Sequence, residues 1–468
     1  MYILEVLIYI ISIALIWSVF RKKTIQPRFV IIMIGTNVLL LILHVILFHF
    51  RWQIYSLYSA VFLVCCLGLL HIFSSVIINK SLKIFLGITF GLLVFISSVT
   101  SYVFPTYELP LPSGEYLIGT ESFVIEDENR IELYGNDETE FRKIKIQLWY
   151  PAETIDGYEQ APWLEDGVEV ARALSKDMGL PSFVLDQTVD IMSNSYQNAP
   201  ISSSLNEYPV VIISHGWRGF RNLHTDFAEE LASLGYIVIG IDHSYGSVAT
   251  VFEDDDIAYL NLDALPLRET TPNFIEYANQ LVNTYAGDIT TTIDYLETIN
   301  ALSSSSRFSG RLDLSKIGLL GHSTGGGADV AIALNDDRID SVIGLDAWVE
   351  PIDEFEIDKG LLVPSLFIRS GAWETGFNND SLYSLIGNSA YPPELYQIDG
   401  TTHYDFAMVY MYSPLTKLIG FSGEVESEYL TNILKTMIAD FFNETLRNNT
   451  TSEINPEIWD EVRVIEID

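Results

Sequence analysis

Residues 317–327 read Ile317-Gly318-Leu319-Leu320-Gly321-His322-Ser323-Thr324-Gly325-Gly326-Gly327, and the fold is decided here. An apolar run without polar alternation, as expected of a strand buried on both faces, leads into Gly-x-Ser-x-Gly and then into small residues. That is the strand–turn–helix setting in which this pentapeptide forms a nucleophile elbow. The glycines meet a steric need. The turn puts Ser323 in a strained backbone conformation, and side chains two residues to either side would strike the neighbouring strand and helix. The hydroxyl is then expected at the sheet edge, with the first N–H groups of the next helix aimed at any oxyanion formed there. The bland alternative is a structural serine in a glycine turn; the flanking strand and helix favour the nucleophile.

Outward from the elbow, Val210-Val211-Ile212-Ile213, Ile237 to Ile241, Ser341 to Leu345, Leu366-Phe367-Ile368 and Leu395 to Ile398 are further short β-rich runs. Amphipathic stretches lie between them, such as Thr225 to Leu234, with Thr225 as the expected N-cap and Gly235 as the stop. This βαβ rhythm predicts an α/β domain with a mainly parallel sheet flanked by helices. Lys143 to Tyr150 does alternate, so an outer, antiparallel strand is expected there. Residues 152–205 and about 247–285 exceed ordinary connections and read as lid-like insertions over the C-terminal edge of the sheet, the first with a helix over Val168 to Met178. Residues 448–468, opening with Asn448-Asn449-Thr450-Thr451, read as a loose acidic tail.

Composition sets the outer limits. Of 468 residues 49% are hydrophobic and 19% charged, which excludes a disordered or collagen-like chain. Charge is segregated: residues 1–104 hold seven Lys/Arg and one acid, Glu5, whereas the rest carries a net charge of −42 and is a poor match for nucleic acid. Four apolar runs, about 2–20, 29–50, 53–78 and 84–104, are each long enough to cross a bilayer and predict four transmembrane helices over residues 1–104, ahead of a domain over 105–447. The first run has no basic segment before it and no small-residue cleavage site, so a cleaved signal is disfavoured. Arg21, Lys22, Lys23, Arg28, Lys80 and Lys83 lie in the first and third loops against Arg51 alone in the second. The first and third loops are therefore expected in the cytoplasm, and both termini and the acidic domain outside, with the plasma membrane as the expected location. Ser56, Ser59, Ser74 and Ser75 leave the ends of the third span the least defined. His44, His49 and His71 read as packing or interfacial residues rather than a cofactor site, and no polar face in the spans points to a separate task. The two cysteines, Cys65 and Cys66, are adjacent within an apolar run, so disulfides, Cys-ligated zinc and a Cys nucleophile are excluded from the acidic domain. No cofactor or metal is expected.

A serine hydroxyl needs a base within hydrogen-bond reach. In the chain order Ser, acid, His, one histidine follows the elbow: His403, in the loop after the apparent last strand. His322 is expected to pack, and His243, at another strand end, to line a pocket. For the acid that orients the imidazole, Asp346 and Glu374 both follow strands beyond the elbow and remain balanced on position alone; Asp405 is too near His403 to fold back. Oxyanion donors are expected from the backbone N–H of Thr324 and from Trp217, in Ser214-His215-Gly216-Trp217-Arg218 after an earlier strand.

Taken together, Gln147-Leu148-Trp149-Tyr150-Pro151-Ala152, Ser214-His215-Gly216, Asp242-His243, Gly321-His322-Ser323, Leu345-Asp346-Ala347-Trp348 and Gly400-Thr401-Thr402-His403 resemble the plasma-type platelet-activating-factor acetylhydrolase family over about residues 108–440. That family comprises serine esterases of the α/β-hydrolase fold. The resemblance places the acid at Asp346 and the oxyanion donors at Trp217 and Thr324. It implies a lipase- or phospholipase A2-like serine ester hydrolase acting on short or modified acyl chains of phospholipids at a membrane. General esters, lactones and polyesters suit the same chemistry, and a non-catalytic, ligand-binding homologue is the reading of a different class. The chain departs from the family in its four-span segment, in Arg218 where a small residue is common, and in Glu253-Asp254-Asp255-Asp256, which disfavours an anionic headgroup.

Overall fold

In a computed structural model of the chain, the described residues are 3–21, 26–48, 50–74, 78–137, 139–252, 256–391, 393–449 and 454–467. Lys22, Lys23, His49, Ser75, Glu253, Asp254, Asp255, Thr450 and Thr451, all used in the sequence reading, lie outside them. Two compact units result: Met1–Thr106 with Tyr412–Leu415, and Tyr107–Met411 with Thr416–Asp468.

The first unit contains α1 (Ile3–Phe20), α2 (Pro27–Phe48), α3 (Tyr55–Phe73, preceded by a 3-10 turn from Trp52) and α4 (Lys80–Val103). All four are long and apolar enough to cross a membrane. Their outward surface is apolar, and their interior sets buried polar residues beside two apolar clusters. Glu5 is fully buried and accepts from Arg51 Nη1 at 3.0 Å and His44 Nε2 at 3.3 Å, while Tyr58 Oη meets His44 Nδ1 at 3.3 Å. Ser12 donates to Asn37 at 3.2 Å. The expectation that the spans hold no polar face is thus corrected: the polar residues are spread over α1, α2, α3 and a loop, so no single helix pattern displays them.

The second unit begins with β1 (Leu117–Ile131), β2 (Phe141–Ala152), β3 (Gln160–Pro162), α5 (Val168–Asp177), β4 (Met192–Gln197), β5 (Tyr208–Ser214), α6 (Thr225–Ser233), β6 (Ile237–Asp242), β7 (Ala249–Val251), β8 (Ile257–Tyr259) and α7 (Phe274–Asn300). It continues with β9 (Leu312–His322), α8 (Thr324–Ala333), β10 (Ile339–Leu345), α9 (Glu354–Ile357), β11 (Ser365–Ser370), α10 (Asn378–Asn388), β12 (Glu394–Ile398), α11 (Ser427–Arg447) and β13 (Val462–Val464). Eleven strands form one sheet in the order β13-β12-β11-β10-β9-β5-β6-β2-β1-β4-β3. From β12 to β6 the neighbours run parallel.

The apolar runs without alternation are buried on both sides because successive side chains point to opposite faces. Val210 and Ile212 pack with α7, α8 and α10 in one core, and Val211 and Ile213 with α6 and α11 in the other.

Four expectations change. Lys143 to Tyr150, within β2, is antiparallel to β6 as expected but lies inside the sheet, with β1, β4 and β3 beyond it. Its polar face meets protein instead of water: Lys145 Nζ reaches Asp166 at 2.5 Å, and Gln147 donates to Thr120 at 2.9 Å and accepts from Asn222 at 2.8 Å. Residues 152–205 add β3 and β4 to the sheet, and 247–285 comprise the β7–β8 hairpin and the opening turns of α7. The stretch read as a loose tail supplies β13, paired antiparallel with β12. Thr225 is the first helical residue and not the cap; a 3-10 turn at Arg221–His224 precedes it, and its hydroxyl donates to Asn222 O at 2.9 Å.

Candidate active site

Strand β9 delivers His322 to the C-terminal edge of the sheet, and the chain turns at Ser323 with φ 56° and ψ −119° before α8 begins. A non-glycine residue held there stores about 1–3 kcal/mol of strain. The clamps are visible: Ser323 N donates to Leu345 O at 3.0 Å, and Trp348 N donates to Ser323 O at 2.9 Å. The glycines do what the motif demands. A Cβ on Gly321 would lie 2.5 Å from Gly326 N and Cα, and one on Gly325 2.2 Å from Ser214 O. Gly216, on the facing loop, passes so close that a Cβ there would sit 2.8 Å from Ser323 Cβ.

Asp346 follows β10, whose register pairs Leu345 with His322, so the carboxyl emerges beside the elbow. It is buried, with φ 42°. Oδ1 accepts from Ser370 N at 2.7 Å; Oδ2 accepts from Ser370 Oγ at 2.6 Å and from His403 Nδ1 at 2.9 Å. Glu374 is instead exposed, 3.6 Å from Arg463 Nη2. Geometry therefore separates two carboxylates that position along the chain could not. Ser370 carried no signal beyond lying at a strand end.

His403 opens a 3-10 turn after β12 that is fixed by a capping box: the Asp405 carboxylate accepts from Thr402 N at 2.7 Å and also from Gly423 N at 2.8 Å. Asp405 thus shapes the loop, as its place two residues on implied. With Nδ1–H bound to Asp346, His403 Nε2 is free to act as an acceptor. His322 donates from Nε2 to His403 O at 3.0 Å, and the two rings are 4.5 Å apart, which brings the loop bearing His403 onto the elbow. Burial, and then the neighbouring His403, hold the His322 imidazole well below its usual range, so it packs as a neutral donor. Among the described residues the half-buried Ser323 hydroxyl makes no hydrogen bond; such contacts are often loose before substrate binds.

The loop after β5 is tied down around Trp217: Arg218 N donates to Gly246 O and Gly219 N to Gly216 O, both at 2.9 Å, and His215 Nδ1 donates to Gly216 O at 2.7 Å. Among the described residues neither Trp217 N nor Thr324 N donates to any group of the chain. Arg218 adopts φ 67°, a conformation that accounts for small residues being usual there, and its guanidinium points out to Asp177 at 3.5 Å.

His243 does not line an open pocket. It is fully buried, stacked on Tyr285 at 3.8 Å and bonded to Asp288 at 3.0 Å, in an ionic cluster with Arg142 and Glu132. Among the described residues no group of three or more His, Cys, Asp or Glu is placed to hold a metal.

Comparison with known proteins adds the family. Residues 101–461 match the family model described as "Platelet-activating factor acetylhydrolase, isoform II". The platelet-activating factor acetylhydrolase of Canis lupus familiaris is 26% identical over 64% of this chain and 68% of its own. A probable 1-alkyl-2-acetylglycerophosphocholine esterase of Arthroderma benhamiae is 21% identical over 75% of this chain and 91% of its own. A solved ferulic acid esterase from Streptomyces cinnamoneus superposes with a TM-score of 0.63, covering 77% of this chain and 100% of its own at 21% identity, which establishes a shared fold. The chain belongs to the platelet-activating factor acetylhydrolase, isoform II, family and is an ester hydrolase of the α/β-hydrolase fold.

Proposed function

We propose that the protein is a membrane-anchored serine hydrolase that cleaves short or modified acyl esters of lipids through an acyl-enzyme. Residues 1–104 serve as the anchor and 105–447 as the catalytic domain, whose sheet β13 extends. The charge bias of the short loops supports an extracytoplasmic catalytic domain at the plasma membrane.

Ser323 Oγ attacks the ester carbonyl while His403 Nε2 takes its proton. The N–H groups of Trp217 and Thr324 receive the developing oxyanion, and Asp346 steadies the imidazolium. Collapse expels the alcohol with the proton from His403; a water, deprotonated by the same nitrogen, then releases the acid and frees Ser323. The observation that carries this reading is the 2.9 Å bond from His403 Nδ1 to a buried Asp346, on a loop packed against the elbow. The names of the relatives support a phospholipid ester with a short sn-2 chain, and anchoring keeps the site near such lipids.

The test is hydrolysis of p-nitrophenyl esters and short-chain phosphatidylcholines by the detergent-solubilised full chain and by Ser323→Ala. Wild type is expected to turn over at least one of them and the variant none. Equal rates in both would end the serine mechanism.

A further inference from the structure

The His403 ring is covered on two sides. The indole of Trp373 stacks on it with centroids 4.4 Å apart and planes 5° from parallel, and His322 packs at 4.5 Å and 34°. Trp373 ends a short 3-10 turn after β11 that is fastened to the loop bearing His403. Gly371 N donates to Thr401 Oγ1 and Ala372 N to Thr401 O, each at 3.2 Å. From the other side Asn379 Nδ2 donates to Trp373 O at 3.2 Å and to Glu374 O at 3.0 Å, and Arg369 holds Asn379 at 2.9 Å. The indole is therefore fixed relative to the imidazole by backbone and side chain alike.

An imidazole acting as base is neutral before attack and cationic once it holds the serine proton. The face of an indole is electronegative and attracts the cation more than the neutral ring, so a Trp stacked parallel to the imidazole stabilises the cationic state that forms as the reaction proceeds. His322 lies at 34° to the ring, so its face is not laid flat on the imidazole as the indole is, and its Nε2 is committed to His403 O.

We propose that Trp373 is a positioning residue that holds the plane of His403 toward Asp346 and selectively stabilises its cationic form during acyl transfer. This rests on the reading of His403 as the base. The titratable groups facing the His403 ring are Asp346, bonded to it, His322, with His224 behind that at 5.7 Å, and Tyr404 at 5.7 Å. Glu374, next to Trp373, turns to Arg463, and Asp405 to Thr402 and Gly423.

The experiment compares the full chain with Trp373→Leu and Trp373→Phe in detergent, measuring kcat and kcat/KM for p-nitrophenyl acetate across pH, with Ser323→Ala alongside. Loss of the indole makes the imidazolium harder to form. In Trp373→Leu, kcat is expected to fall about threefold, while the acid limb of kcat/KM moves about half a pH unit lower; Trp373→Phe shows the same two changes at smaller size. A merely structural role lowers kcat without moving that limb, so an unmoved limb in both variants, or a shift to higher pH, overturns the proposal. If Trp373→Leu does not fold, Trp373→Phe keeps an aromatic ring and gives the limb by itself. Undiminished hydrolysis by Ser323→Ala overturns the underlying mechanism instead, whatever the Trp373 variants do.

Discussion

Replacing Asp346 by Asn tests the site at the point where position along the chain left two choices. The substitution keeps the shape of a buried side chain that accepts three hydrogen bonds. An amide can keep its oxygen on Ser370 N, but its NH2 then faces His403 Nδ1 and Ser370 Oγ, both donors. The imidazole escapes by moving its proton to Nε2, the nitrogen that must accept from Ser323. Removing a charge-assisted bond to the imidazolium costs about 3 kcal/mol, and restoring the useful tautomer against a facing donor about 1–2 kcal/mol more. The total of about 4–5 kcal/mol corresponds to a loss of about 10^3 to 10^4 in kcat. Steady-state hydrolysis of p-nitrophenyl acetate reads this directly, with KM within about twofold because the bond matters in the transition state. Glu374→Gln, which touches only an exposed Arg463, is expected to change kcat less than about twofold. Asp346→Asn retaining more than about a tenth of wild-type kcat, or an equal loss in Glu374→Gln, would refute the assignment.

Gly216→Ala is expected to cut kcat at least about tenfold, because its methyl would press on Ser323 Cβ from 2.8 Å; activity assays with a folding control by circular dichroism check it. Arg142→Met takes the guanidinium from Glu132 and leaves Asp288 with only Arg130 and His243, and is expected to lower stability by about 3–5 kcal/mol, read from urea unfolding of the detergent-solubilised chain. Burial alone would raise the Asp288 carboxyl, but the Arg142 charge and the bonds from His243 and Arg142 overcome it and hold it well below the usual range. Its contribution is thus present above the unfolded carboxylate range and fades as the medium is acidified, so the penalty of Arg142→Met should shrink at low pH. Asp329 is the opposite case. Burial drives its carboxyl well above the usual range, with the Ser214 hydroxyl as its one opposing influence, so the folded chain retains a proton that the unfolded chain releases. Stability then falls as pH rises above the ordinary carboxylate range, and Asp329→Asn should gain more at pH about 8 than at pH about 4 in the same unfolding assay.

Short-range sterics made part of this protein legible. The elbow could be placed from one strand, three kinds of small residue and a helix start, because the need for glycine beside Ser323 arises within a few residues of it. The both-face-buried strands were visible for the same reason: their lack of alternation is a local property. Most of the helix over Val168–Asp177 and the four apolar runs were likewise written in composition and period.

What escaped were features made by pairing. The fifteen-residue β1 mixes acids with apolar residues and gains its place only by pairing with β2 and β4. The three-residue β13, Val462-Arg463-Val464, is too short to register as a strand until β12 offers its edge. Glu5, His44 and Tyr58 look like isolated blemishes in apolar runs, and Arg51 like a lone loop charge, until helix packing closes them on one another. In the candidate site Ser323 and His403 were marked by motif and chain order, and Asp346 by the likeness of Leu345-Asp346-Ala347-Trp348 to the family although strand position alone left Glu374 level with it; the covering of His403 by Trp373 carried no such mark. Local pattern was enough to show which chemical groups each strand end carries. Which of those ends meet was settled on folding, because strand register and sheet order are set by packing between residues distant along the chain, and no local pattern encodes that distance.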